Sequence, residues 1–194
     1  MRIRSSMQEV RTKPKNSAMR EVFEWVVTLA LAVGLALCVH AFVGELITVE
    51  GPSMQPNLVD NEKVLMGRLE YYFKQPKRGD IVIVKYPDRD ENIIKRVIAT
   101  AGERIRVSGG SVYINGARLE EPYIKDTILG DYDEMLVPEG MIFVMGDNRN
   151  DSHDSRSSSV GPIPLDQVKG RAYLIVWPFE KWEKISGYTG SLEG

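Results

Sequence analysis

Apolar and polar residues follow two different patterns along this chain. From Val22 to Val43 almost every position is apolar, with Glu24 and His40 as the only strongly polar members, each within a turn of an end. As a helix rising 1.5 Å per residue this run is about 33 Å long, close to the roughly 30 Å hydrocarbon thickness of a bilayer. It is too long for the apolar core of a cleavable leader, and its length without charged faces weighs against a buried core helix. The run therefore predicts a single N-terminal transmembrane helix over residues 22–44. From residue 45 onward, apolar residues come in short bursts rich in β-branched side chains. Leu46–Val49, Lys63–Met66, Asp80–Tyr86, Ile93–Thr100, Arg104–Val107, Val112–Ile114, Met141–Met145 and Ala172–Trp177 read as strands. Ser108-Gly109-Gly110-Ser111 and Asn115-Gly116 read as tight hairpin turns, which makes 104–119 a meander. No stretch beyond the apolar run keeps a 3.6-residue period. The expected fold is mainly β, an antiparallel and partly barrel-like domain, because so many short strands leave edges that closure would protect.

Charge adds an orientation. Residues 1–21 carry six Lys/Arg against two Glu, leaving 19 Lys/Arg against 25 Asp/Glu, a net −6, for the remainder of a chain whose overall charge is −2. A basic tail beside an apolar span marks the cytoplasmic side. The expected layout is a cytoplasmic basic tail over 1–21, the span over 22–44 and an extracytoplasmic domain over 45–194. With 194 residues and 43% hydrophobic content, the domain can build a full core. The single cysteine, Cys38, excludes an internal disulfide and a cysteine zinc cluster. The acidic remainder argues against nucleic acid as a partner.

The candidate chemistry centres on Ser53 in Gly51-Pro52-Ser53-Met54-Gln55-Pro56. Two prolines and a glycine hold this segment out of regular structure and present the hydroxyl. A serine needs a base. Of the two histidines, His40 lies in the apolar run, so His153 in Asp151-Ser152-His153-Asp154 is the one candidate for a histidine triad. The other candidate is Lys95 in Asn92-Ile93-Ile94-Lys95-Arg96-Val97-Ile98, where both faces of the strand carry apolar residues. An inward Lys95 would be desolvated and its pKa lowered towards neutrality, whereas an edge-strand lysine would snorkel into water. Lys63 and Lys85 stand among carboxylates that favour the ammonium. The polar segment Gly146–Arg156 follows directly on a strand and carries hydrogen-bonding groups of every kind.

In the order Ser53, Lys95 and Gly146-Asp147-Asn148-Arg149, the chain resembles the type I signal peptidases, membrane-bound serine proteases with a Ser/Lys dyad. The match rests on Ser53-Met54-Gln55-Pro56 with Leu58, Arg78-Gly79-Asp80-Ile81-Val82, Lys95-Arg96-Val97-Ile98, and Gly146–Arg149 continued through Ser152, Asp154, Ser155 and Arg156. The resemblance implies Ser53 as nucleophile, Lys95 as general base, Ser152 as the hydroxyl that orients the amine, and Asp154 with Arg156 as supports of the loop. Some members carry a serine two residues before the nucleophile that completes the oxyanion hole; here that position is Gly51, which leaves the second donor to a backbone group or water. The family's Gly-x-Pro-Gly turn after the lysine strand is reduced to Gly102 in Ala99-Thr100-Ala101-Gly102. The implied activity is removal of signal peptides from exported preproteins with small residues at −3 and −1, at the outer face of the cytoplasmic membrane. The implied partners are those peptides and the lipid bilayer; neither a cofactor nor a metal is implied. Two other readings stand beside it: another Ser/Lys protease, and a membrane-tethered β-domain that binds partners without catalysis.

Overall fold

The computed structural model describes residues 16–42, 44–86, 91–188 and 191–193. The basic tail therefore lies outside the described residues as far as residue 15. The chain divides into two compact units, Met1–Ala41 and Phe42–Gly194.

The described residues of the first unit all lie in the helix α1, Asn16–Phe42, which ends at the boundary. It begins two residues after Pro14, and within it an Arg20–Glu24 pair at 2.9 Å spans one turn. Among the described residues no helix is long and apolar enough to cross a membrane. The side chains of residues 36–43, which include Cys38 and His40, lie outside the description.

The second unit holds two antiparallel sheets. In chain order its elements are β1 (Glu45–Thr48), β2 (Lys63–Gly67), the single turn α2 (Glu70–Phe73), β3 (Ile81–Lys85), β4 (Asn92–Thr100), β5 (Arg104–Ser108), β6 (Ser111–Ile114), β7 (Ala117–Leu119), β8 (Tyr132–Leu136), β9 (Met141–Met145), β10 (Ile163–Pro164), β11 (Val168–Trp177), β12 (Glu183–Lys184) and β13 (Leu192–Glu193). The larger sheet runs β1-β2-β11-β3-β4-β9-β10, with β12 beside β11. It curls into a half-barrel. One apolar cluster joins Ile47 and Val49 at one end of this order to Ile94 of β4, with Met54 and Leu58 between them. The smaller sheet runs β13-β7-β6-β5-β8 over its own core of Ile98, Ile105, Val107, Val112, Ile114 and Phe143.

Each strand expected from the hydropathy pattern is present, with ends shifted by a residue or two except at β11, which starts four residues earlier. Both hairpins form as expected: Ser108 pairs with Ser111 and Ile114 with Ala117. Gly109, Gly110, Asn115 and Gly116 all take positive φ, the pair of left-handed residues that a tight two-residue turn requires.

The half-barrel places the site through its pairing. Strand β4 is flanked by β3 along residues 92–96, but β9 joins it only from Arg96 onward. Among the described residues, 92–95 thus have no strand partner on that side. Among the described residues β1 pairs with β2 alone, which leaves its outer edge free as well.

Candidate active site

Ser53 sits in the turn that follows β1. Gly51 takes φ +79, and its N–H donates to Asp60 Oδ1 at 2.7 Å. The Gln55 N–H closes on Pro52 O at 3.0 Å, and Met54 and Leu58, both about 1% exposed, anchor the turn in the apolar cluster. The polar loop braces it from the other side: Asn148 N–H donates to Ser53 O at 3.0 Å, and Asn148 Nδ2 to Pro52 O at 3.3 Å. Gly146 makes this approach possible, because a Cβ there would lie 2.4 Å from Ser53 O and 2.3 Å from Ser152 Oγ. Among the described residues the Ser53 N–H donates to nothing. A trans peptide directs its C=O and N–H to opposite sides, so Asn148, bound to Pro52 O, stands away from that free N–H.

Lys95 lies opposite Val82 in the β3–β4 ladder. Only 3% of it is exposed, and its Nζ donates to Ser53 Oγ at 2.7 Å and to Ile94 O at 3.2 Å. The amine is buried and bonded inside the domain, so the alternative of a lysine reaching into water does not hold. Burial pushes the Lys95 ammonium down from 10.5 to about 8, against the opposing pull of the Asp154 and Asp147 carboxylates. About half of such amines are neutral at pH 8, whereas an ordinary lysine would be under about 1% neutral there.

The loop after β9 supplies the supports. Asp154, about 1% exposed, takes Arg156 Nε at 2.8 Å and Nη2 at 2.9 Å on its two oxygens, and the Gly146 N–H at 3.0 Å. Burial alone would raise this carboxyl, but Arg156 and the Gly146 N–H hold it below the usual carboxylate range. The expected Asp154–Arg156 brace is thus formed. Ser152 is brought to the site without the expected bond to Lys95: its Oγ is buried on the Asp154 side, where it helps hold that carboxyl low, and makes no bond to the amine. His153 goes elsewhere. It is exposed, with Nε2 3.3 Å from Ser159 Oγ and its ring edge-on to Tyr86, so the structure does not build a histidine triad on Ser53.

A family model described as signal peptidase, peptidase S26, matches residues 22–177. The chain belongs to that family. It is 37% identical over 187 residues to the signal peptidase I of Bacillus licheniformis, covering 91% of this chain and 98% of the relative. It is 34% identical to signal peptidase I T of Bacillus subtilis (strain 168), over 90% of this chain and 96% of that one. The crystal structure of a signal peptidase I from Enterococcus faecalis V583 is 32% identical, covers 50% of this chain and 97% of that one, and has a TM-score of 0.46. Membership makes this chain a serine endopeptidase of signal-peptide processing.

Several residues of this family member were not legible as site residues. Arg96 is 2% exposed and grips Asp147 with Nε and Nη2, both at 2.7 Å, while its Nη1 reaches Gly79 O at 3.0 Å. Asn57 Nδ2 also donates to Asp147 Oδ2 at 2.8 Å. Arg149 is bound by both oxygens of Glu121, at 2.9 and 2.5 Å. Arg96, Asp147 and Arg149 stood within the motifs that carried the resemblance, but their partners lie up to 90 residues away. Nothing in the sequence marked Glu121.

Proposed function

We propose that this chain cleaves signal peptides from exported preproteins with Ser53 as nucleophile and Lys95 as general base. The observation that carries the reading is the buried Lys95 amine 2.7 Å from Ser53 Oγ. In its neutral form the amine accepts the Ser53 proton as Oγ attacks the scissile carbonyl. The resulting ammonium then protonates the leaving amine, and water, deprotonated by the same lysine, resolves the acyl-enzyme. A neutral amine has two N–H donors and one lone pair. With the lone pair on Ser53 and one N–H on Ile94 O, one N–H is left over, and a turn of the Ser152 hydroxyl toward the amine would give it an acceptor, the orienting role proposed for Ser152. Asp154 and Arg156 hold the backbone of that loop in place. The free Ser53 N–H is the first oxyanion donor, and Gly51 leaves the second to a backbone group or water.

The peptide enters as an extended strand between the free edges of β1 and of residues 92–95, by the strand addition common in peptide recognition. Val49, Met54, Leu58 and Ile94 belong to the apolar cluster beneath this region, and an apolar floor so filled suits small residues at −3 and −1. Cleavage of an Ala-x-Ala preprotein by detergent-solubilised protein tests the reading. kcat/KM rises about tenfold per pH unit from pH 6 to 7 and levels above about 8, as the amine loses its proton. A flat profile between pH 6 and 8 would remove the neutral amine from the mechanism.

We further propose that residues 22–44 anchor the chain in the cytoplasmic membrane as a single span, with the tail over 1–21 inside and the domain over 45–194 outside. Support comes from the length of the apolar run, the basic tail, and the exposed Phe23, Trp25, Leu29, Leu31 and Leu35 of α1, which water solvates poorly. Ser53 then starts within about 33 Å of the bilayer, the most that ten extended residues can reach. Alkaline carbonate leaves the protein in the membrane pellet; its release into the supernatant would defeat the anchor.

A further inference from the structure

The connection between β7 and β8 touches all three segments that build the dyad. From the serine turn, Asn57 Nδ2 donates to Tyr123 O at 2.8 Å. From the lysine strand, the Arg96 guanidinium carbon lies 4.0 Å from the centroid of the Tyr123 ring. From the loop after β9, the Arg149 guanidinium carbon lies 5.8 Å from the same ring, and the Tyr123 hydroxyl donates to Glu121 Oε1 at 2.8 Å, the carboxylate that grips Arg149. The same connection meets the loop again through Asn150, whose Nδ2 donates to Thr127 O and whose Oδ1 accepts from the Leu129 N–H.

We propose that Tyr123 is a positioning residue for the Ser53–Lys95 dyad, acting through the two buried guanidiniums of Arg96 and Arg149. The inference rests on the dyad reading given above. Arg96 is the next residue after the base, and its cation is fixed by Asp147, Gly79 O and the Tyr123 ring. Arg149 holds Gly146 O through Nε at 3.0 Å, and Gly146 is where the loop passes over Ser53. An aromatic face attracts both cations while excluding water from between them. Take the ring away, and water reaches Arg96 and Asp147. Two changes follow. The main chain at Lys95 and Gly146 loses a fixed reference, and the groups facing the Lys95 amine, Asp147 and Asp154, act on a better hydrated ammonium. Hydration favours the charged form, so the base needs a higher pH.

The test compares Tyr123→Leu, which keeps apolar volume without an aromatic face, and Tyr123→Ala with Tyr123→Phe, which keeps the face and loses only the hydroxyl. Leu and Ala lower kcat by up to about a hundredfold with KM within about twofold, the scale that an ångström-sized misplacement of reacting groups costs. The acid limb of their kcat/KM profile moves alkaline by about half a pH unit or more, and Phe stays within about threefold of the parent. If Ala fails to fold, Leu carries the comparison. Parent-like kcat in Leu, activity lost only in proportion to folded fraction with an unmoved acid limb, or Phe as damaged as Leu would each overturn the proposal. Ser53→Ala and Lys95→Ala are assayed alongside. Retained cleavage in either points to failure of the dyad itself, separately from Tyr123.

Discussion

Lys95→Met abolishes cleavage, by on the order of 10⁴-fold or more, and leaves the protein more stable at pH 7 than the parent. The loss follows because a serine hydroxyl without a base is nearly inert, and single deletions within such catalytic units remove almost the whole chemical advantage. The gain follows from the depressed pKa. A lysine at about 8 in the folded chain and near 10.5 when unfolded binds fewer protons folded than unfolded between those values. Parent stability therefore rises from about pH 8 to about pH 10.5, and below pH 8 the folded state bears the full cost of a buried ammonium, about 3 kcal/mol. Methionine fills similar volume without charge. The hydrogen bonds to Ser53 Oγ and Ile94 O are lost, at about 1 kcal/mol each, leaving a net gain of about 1 kcal/mol. Urea unfolding of parent and variant from pH 7 to 10, beside preprotein cleavage, measures both halves; the gap closes as the pH climbs. His153→Ala is the companion variant and cleaves at the parent rate, since its ring is engaged with Ser159 and Tyr86. Loss of activity in His153→Ala but not in Lys95→Met would refute the assignment of the base.

That a stabilising substitution sits at the centre of the site is expected of catalytic groups, which are held against their own solvation. The surrounding structure tolerates the cost because Lys95 lies in a strand whose neighbours Ile94, Val97 and Ile98 are all under a tenth exposed. The sheet forms on their account, whatever the protonation of the amine.

The hydropathy pattern carried the half-barrel strands because each is long enough, and buried enough on at least one face, to write its period into the sequence. Strands β10, β12 and β13 are two residues each and left no such mark. Strand β8, Tyr132–Leu136, carries Asp133 and Glu134 between its apolar residues and buries none of its five, so 120–138 read as an irregular excursion. The proposed dyad was legible because Ser53 and Lys95 stood in separate recognisable stretches, and folding brought them to 2.7 Å. Its supports divide. Asp154 and Arg156 are two residues apart and form a local pair inside a motif that carried the resemblance. Tyr123 and Glu121 belong to the excursion, and their partners Arg96 and Arg149 are 27 and 28 residues away in sequence. Local pattern does not encode contacts made only once the two sheets have met.

The other large effect falls on stability. Asp147→Ala destabilises the fold by about 3–5 kcal/mol, the range for breaking a buried ion pair by removing one partner. Arg96 and Asp147 have side chains only 3% and 0% exposed. With the carboxylate gone, a guanidinium bonded on two of its nitrogens is left with Gly79 O and the Tyr123 ring, in a place water does not reach. Asn57 loses an acceptor in the same step. Replacing both partners, as Arg96→Met with Asp147→Leu, removes the stranded charge and recovers most of that loss, because apolar residues of like volume substitute well for a buried pair. Cleavage does not recover with it. Asp147 is the residue before Asn148, whose N–H holds Ser53 O, and Asp147 also binds Asn57 of the serine turn, so an apolar pair restores the packing without restoring that register. Thermal unfolding and kcat measured on the two single variants and the double separate these contributions. A cost below about 1 kcal/mol in Asp147→Ala, or a double variant that regains activity along with stability, would mean that the pair merely fills space beside the site and has no part in aligning it.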